Sequence, residues 1–386
     1  MFKRLILLST LLLFSLSTEV FGQIISRSLF HSGGIRKYDL HLPPSWQPGD
    51  ALPLVLDLHY LGGDARDEDS LTNMNAIADS AGFILCHPWG QGTNWNAGFH
   101  SPYTVGAHDV DFIRTVIDTI ANEYGLDRLH IYAVGMGQGG FMAQRLACEL
   151  SDEIAAIASV SGSIADSTAF YCQPVRPVPV MIIHGRADTV IPYSGSPGLW
   201  PGIDTLVSFW LEKNGCPGAT PTTTALPDLV NEGSSINSHR YACNTDSEVL
   251  LYEILNGGFA WPGAANGLPN TGIINQDINA GLEIWKFFSQ WTLPALLDAP
   301  SPESAQAYQV NYGPNPLQNQ LKLTFPKGKK PFNINIRNLH GHLFHSETVL
   351  SGKQSLEIDC SKWLSGMYIL EFESEYGRVC KRLLKL

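Results

Sequence analysis

Charge is scarce in this chain, and positive charge is scarcer than negative: 16% of the 386 residues are Asp, Glu, Lys or Arg, with 25 cations against 36 anions. The deficit lies in the long N-terminal part. Residues 308–386 carry 11 Lys and Arg against 6 Asp and Glu, whereas residues 1–307 carry 14 against 30. An acidic body of this kind is repelled by phosphate backbones and anionic lipid, which argues against nucleic acid as a partner. Long apolar runs are missing too. The stretch 5–16 is too short to cross a bilayer and nothing later is longer, so no transmembrane segment is expected. The seven cysteines include no C-x-x-C pair, which removes the usual signature of a zinc or redox centre. Neither a metal nor a cofactor is expected.

Residues 1–22 read as a secretory signal: Lys3 and Arg4, the apolar stretch, then Val20-Phe21-Gly22 as a small-residue cleavage site. An exported chain with seven cysteines is expected to form at least one disulfide. Cys216 and Cys243, each in a turn-like context, make the best pair and bracket a loop-rich excursion. Cys86 and Cys148 fall in apolar strand and helix patterns and read as buried thiols.

From 23 to 292 short apolar runs alternate with amphipathic ones. Strands are expected at 52–59, 83–87, 129–134, 154–160 and 178–184, and helices at 71–81, 109–124, 138–150, 203–213 and 275–291. That alternation argues for an α/β fold, a mostly parallel sheet flanked by helices, and 24–42 adds an antiparallel edge hairpin around Gly33-Gly34. Residues 293–309, rich in Pro, Ser and Ala, read as a linker. From 310 to 386 only strand patterns remain, at 321–325, 332–338, 354–358, 366–372 and 378–386, so a small all-β sandwich is expected there.

The chemistry concentrates at one turn. Leu129-His130-Ile131-Tyr132-Ala133-Val134 reads as a buried strand that runs into Gly135-Met136-Gly137-Gln138-Gly139-Gly140 and then a helix. Strand, G-x-S-x-G turn and helix make the nucleophile elbow of an α/β-hydrolase, yet position 137 holds glycine where the attacking hydroxyl belongs. A dinucleotide-binding turn also follows a strand with glycines, but its spacing is met only approximately and its strand comes first in order rather than fourth or fifth.

The run from Gly135 to Ala143 resembles the G-M-S-x-G-G-x-M-A segment of extracellular polyhydroxybutyrate depolymerases and the related feruloyl and acetylxylan esterases. Leu58-His59-Tyr60-Leu61-Gly62-Gly63 is similar to the family's L-H-G-x-G-G oxyanion loop, and Trp95-Asn96-Ala97-Gly98 matches its W-N-A-G. His184-Gly185-Arg186-Ala187-Asp188 resembles the segment with the triad acid. Asn256-Gly257-Gly258-Phe259-Ala260-Trp261-Pro262-Gly263 resembles G-G-G-H-x-W-P-G, which carries the triad histidine. The resemblance implies that Asp188 is a vestigial acid, that Gly137 stands at the nucleophile position and Phe259 at the general-base position, and that Tyr60 and Gln138 hold the oxyanion-hole positions. It also places a disulfide at Cys216 and Cys243.

Acyl transfer needs a hydroxyl, a base and an orienting acid, and two of the three are absent. The expectation is therefore a secreted, catalytically inactive esterase relative whose site has drifted towards stability, with a polysaccharide ester or another polymer such as a polyester as ligand. Asp188, deprived of its imidazole, should be wet or paired with Arg186 or Tyr193. Trp89, Trp95 and Trp261 are expected near the pocket mouth, either stacking on ligand or bracing loops. One rival is an active ester hydrolase with a displaced pair drawn from Ser101, Ser161 or Ser196 with His59, His100 or His108. Another is a structural or interaction protein whose cleft takes no ligand.

The C-terminal segment is similar to type IX secretion sorting domains: Tyr312-Gly313-Pro314-Asn315-Pro316 at its opening, Asn338-Leu339-His340-Gly341 at a central turn, Gly366-Met367-Tyr368 in a closing strand, and a basic end. This implies the type IX machinery as partner and a protein that is extracellular or attached to the cell surface. A carbohydrate-binding sandwich is the alternative.

Overall fold

Buried runs of Val, Ile, Leu and Ala build the middle of one large sheet, because strands covered on both faces exclude polar side chains. The computed structural model describes residues 22–99, 105–243, 246–293, 311–313, 317–325, 332–338, 343–364, 366–374 and 377–385, in two units, Met1–Leu293 and Pro294–Leu386. The expected signal, most of the linker and parts of the sorting motifs lie outside the described residues.

In the first unit the strands are Gln23–His31 (β1), Gly34–Leu42 (β2), Leu52–Leu58 (β3), Ile84–Pro88 (β4), Leu126–Met136 (β5), Ala156–Val160 (β6), Val180–Gly185 (β7), a ribbon of Gly195–Ser196 (β8) and Trp200–Pro201 (β9), Thr222–Ala225 (β10), Ser235–Cys243 (β11) and Ser247–Leu255 (β12). The helices are Ala65–Thr72 (α1), Met74–Ala81 (α2), Asp109–Tyr124 (α3), Gln138–Glu149 (α4), Asp166–Tyr171 (α5), Ile203–Lys213 (α6) and Ala280–Phe288 (α7). The sheet order is β1-β2-β4-β3-β5-β6-β7-β12-β11-β10, parallel from β4 to β12 and antiparallel at both flanks. The elbow thus follows a central strand, β5, whose end faces the loops that follow β3, β7 and β12.

Four expectations are corrected. The single helix at 71–81 is two, joined at Asn73, which adopts a left-handed φ of 51° that asparagine tolerates. The first of these starts at Asp64, whose carboxylate accepts from the Arg66 and Asp67 amides in a capping box; its polar sequence hid it. The last helix begins at Ala280 rather than 275, where the Asn279 side chain accepts from the Leu282 amide. The excursion between Cys216 and Cys243 contains β10 and β11, so Cys243 ends a strand. The polar face of β11 masks its pairing with β12, which is buried along all but its last residue.

Cys216 and Cys243 are bonded, with Cα atoms 5.6 Å apart. Cys148 is not a free thiol: it is bonded to Cys172, which tethers the ends of α4 and α5. Only the fold brings those ends within 4.8 Å. Cys86 stays buried and free. Closing a loop of 24 residues stabilises by about 3 kcal/mol in the chain-entropy picture. A Cys148→Ser/Cys172→Ser variant is expected to show that loss as a lower urea midpoint, with a somewhat larger m-value because the unfolded chain without its cross-link exposes more surface.

In the second unit Asn311–Gly313 (β13), Gln320–Thr324 (β14) and Ser355–Asp359 (β17) form one antiparallel sheet. Phe332–Asn338 (β15), Leu343–Val349 (β16), Gly366–Ser374 (β18) and Gly377–Lys385 (β19) form another. Leu321, Leu323 and Ile358 of the first share one core with Ile334, Ile336, Leu370 and Phe372 of the second. Strand β16 was not expected, because its pattern (LFHSETV) keeps most side chains at least partly wet.

Candidate active-site cleft

The elbow is built as its glycines require. Gly137 adopts φ 54°, ψ −117°, a conformation that strains any residue with a Cβ. Its N–H donates to Val160 O at 2.9 Å, and its carbonyl accepts from the Phe141 amide as α4 begins. A Cβ at position 139 would stand 1.8 Å from Leu58 O, so only glycine lets α4 pass so close to β3.

Phe259 follows β12 in a loop sewn to its neighbours. Its amide donates to Thr271 O at 2.7 Å, Gly258 N–H donates to Ile273 O, and Ala187 N–H donates to Gly257 O. The side chain is buried and aims at the elbow. A Cβ built on Gly137 would lie 2.8 Å from Phe259 Cζ and 3.1 Å from Cε2. The ring therefore fills the space in which a side chain at 137 would begin.

Asp188 is neither wet nor joined to Arg186 or Tyr193. It is buried, and its Oδ1 accepts from the Val190 and Ile191 amides at 2.8 Å each. Arg186 pairs instead with Glu253, and Tyr193 donates to Asp204. Asp188 Oδ2 makes no hydrogen bond and lies 3.4 Å from His184 Nε2, which itself donates to Ile191 O. Burial raises the Asp188 carboxyl to about 6, against the pull of the two amides, and lowers His184 to about 4. Near neutrality His184 is uncharged, so the two do not form an ion pair.

The displaced pairs do not assemble among the described residues. Ser161 is buried, and its hydroxyl faces the Ala260 carbonyl and amide at 3.3 Å. His59 donates through Nδ1 to Tyr60 O and accepts through Nε2 from Gly90 N–H. Ser196 sits in the β8–β9 ribbon, and His108 is exposed before α3. Ser101 and His100 lie outside the described residues.

Of the two oxyanion-hole positions, Tyr60 has its amide turned to Glu68 Oε2, at 3.2 Å. Gln138 opens α4, where backbone N–H groups lack intrahelical acceptors. Its side chain bridges to Trp95, accepting from the amide at 3.0 Å and donating to the carbonyl at 3.1 Å. Beneath this loop lies a cluster that no motif announced. Asp57 and Glu68 are both fully buried, Asp57 is close enough to raise Glu68, and the Thr72 hydroxyl donates to Asp57 at 2.9 Å. Burial raises Asp57 to about 7 and lifts Glu68 well above the carboxylate range. Neighbouring His87 is pushed down to about 3 by burial and by His41 and His59.

The three tryptophans singled out in the sequence do not line the cleft. Trp95 is buried and donates to His59 O, Trp261 is buried in the core, and Trp89 donates to Asp39 outside the cleft. They brace loops. The aromatic wall is formed instead by Phe99, Phe141 and Trp200, with ring centroids 4.8 to 5.8 Å apart. Together with Tyr60, Phe259 and Leu268 they line an apolar cleft of about 610 Å³ that opens onto Gly137. Phe141 stands inside the elbow motif; Trp200 carries no sequence signal, since a β-ribbon that the sequence does not announce places it. Among the described residues no group of three His, Cys, Asp or Glu is arranged to hold a metal.

Residues 108–201 match the family model described as phospholipase/carboxylesterase, and residues 312–385 the one described as secretion system C-terminal sorting domain. The chain is 32% identical over 262 residues to "Putative esterase NocK" of Nocardia uniformis subsp. tsuyamanensis, spanning 62% of this chain and 74% of that protein. It is 25% identical over 266 residues to feruloyl esterase C of Emericella nidulans, spanning 65% and 90%. Two longer relatives also match, and the chain spans 35% and 37% of their length. A solved acetyl xylan esterase from Aspergillus awamori is similar over 69% of this chain and 99% of that one, at 14% identity and a TM-score of 0.48.

Proposed function

Because the chain belongs to the α/β-hydrolase family of the feruloyl and acetylxylan esterases, we propose that it is an exported member that has given up ester hydrolysis and keeps its cleft as a binding site. Its sorting domain makes it extracellular or cell-surface, with the type IX secretion machinery as its export partner. The observation that carries the proposal is the Phe259 ring standing 2.8 Å from where the nucleophile's Cβ would be. Glycine at 137 supplies no hydroxyl, phenylalanine at 259 removes no proton, and Asp188 keeps one oxygen without a partner. The ligand class is the ester of an aromatic acid, as on a plant polysaccharide. Flat rings at the Phe99, Phe141 and Trp200 wall bury area with few rotatable bonds lost.

Purified protein is expected to hydrolyse acetyl and feruloyl chromogenic esters at no more than about 10³–10⁴ times the uncatalysed rate, the residue that a pocket without its triad retains. Trp200→Ala should weaken binding of the same esters about tenfold, roughly 1.4 kcal/mol, the scale of one aromatic pair. Turnover far above that floor, abolished by substitution of a serine elsewhere, would instead make it an enzyme with a displaced nucleophile.

A further inference from the structure

The cleft holds no countercharge among the described residues. Among the described residues that line it, none carries an ionic side chain, and the Tyr60 phenol is the sole ionisable group. Burial, together with Asp67, Glu68 and Asp64 behind it, holds that phenol above its ordinary pKa. The wall behind Tyr60 is thus acidic, as is the whole first part of the chain. Two polar side chains at the cleft have partners: Gln138 is bound to Asn94 and Trp95, and the Thr271 hydroxyl donates to Leu268 O at 2.8 Å. The donors left are uncharged: the Trp200 indole N–H, which makes no hydrogen bond, and backbone N–H groups in the first turn of α4. Such dipoles suit a carbonyl oxygen. They favour an anion only weakly, far less than its lost hydration costs in an apolar cleft with no cation.

We propose that the cleft selects the intact, uncharged ester and rejects the free carboxylate that hydrolysis of that ester releases. The inference rests on the binding role proposed above and narrows it. A domain of this kind holds an aromatic ester only until a separate esterase cleaves it, at which point the acid leaves because its charge finds no partner. The reaction that consumes the bound species is thus ester hydrolysis carried out elsewhere.

The test is isothermal titration of the full chain at pH 7 with methyl cinnamate, cinnamamide and cinnamate. These share one ring system and differ in the charge of the head group. The two neutral compounds are expected to bind alike and cinnamate at least tenfold more weakly. Leu61 lines the cleft rim with 63% of its surface exposed. Leu61→Lys should place a cation there and improve cinnamate affinity at least fivefold relative to the ester. Cinnamate binding as tightly as the ester would overturn the selectivity and leave the silent binding cleft standing. A Leu61→Lys variant that binds ester but gains nothing for cinnamate would remove charge as the cause. Failure of all three compounds to bind would overturn both readings, and release of acid from the methyl ester far above the residual rate given above would overturn the silent cleft itself.

Discussion

Gly137→Ser alone is expected to lower the melting temperature by roughly 4–24 °C and to gain no ester turnover. The elbow backbone at φ 54° strains a residue with a Cβ by about 1–3 kcal/mol. The new Cβ also meets Phe259 Cζ at 2.8 Å, an overpacking that costs about 1–3 kcal/mol. At roughly 2–4 °C per kcal/mol for a domain of this size, the melting shift follows. Phe259→His in the same chain trims the ring that causes the clash and places an imidazole where the resemblance to the esterases expects the base. The double variant should recover part of the stability and raise chromogenic ester hydrolysis about 10²–10⁴-fold over the single one, the usual worth of a positioned base. Calorimetry and the ester assay on the same preparations read both effects. A single variant that melts at or above the wild-type temperature would mean that Phe259 does not fill the nucleophile's space.

The second large effect is electrostatic. Asp57→Asn is expected to leave stability near pH 4 almost unchanged and to raise it at pH 8 by roughly 2–4 kcal/mol. Asp57 goes from 3.8 when unfolded to about 7 when folded, and each unit is worth about 1.4 kcal/mol. The sign follows from proton counting. Between those two values the folded state holds a proton that the unfolded state has lost, so wild-type stability falls as pH rises from about 4 to about 7 and is flat beyond. Asparagine carries no such slope, although its unpaired amide offsets some of the gain. Glu68 and Asp188 slope the same way, while His87 and His184, held neutral, lose stability as pH falls below 6.5. These opposing slopes partly cancel in the wild type, so the difference between Asp57→Asn and wild type is the quantity to measure, by urea unfolding at pH 4, 6 and 8. Parallel curves for the two proteins would place the proton elsewhere.

Much of the fold was legible because local chemistry and fold agree. The parallel core of the sheet is written in apolar runs such as Ile131 to Val134, and the elbow in glycines whose roles are steric: a Cβ at 139 has nowhere to go. The Cys216–Cys243 bond was anticipated. The polar strand β11, the acidic helix α1 and the Cys148–Cys172 bond were not. Each rests on a hairpin pairing, a capping box or a bond across 24 residues rather than on an apolar period, and periodicity carries no information about those.

The sequence by itself determined that glycine stands at 137 and phenylalanine at 259, the positions where the resemblance to the esterases expects a nucleophile and a base, because that statement needs only residue identity. Only the tertiary structure decided what takes their place. It put the Phe259 ring where a side chain at 137 would start, and gave Asp188 two backbone donors instead of a water or an arginine. It moved the aromatic wall from Trp95 and Trp261 to Phe99, Phe141 and Trp200, and set the Asp57–Glu68 pair beneath Tyr60. Those outcomes depend on which side of a loop faces inward and how far a side chain stands from water. The packing of distant segments settles both.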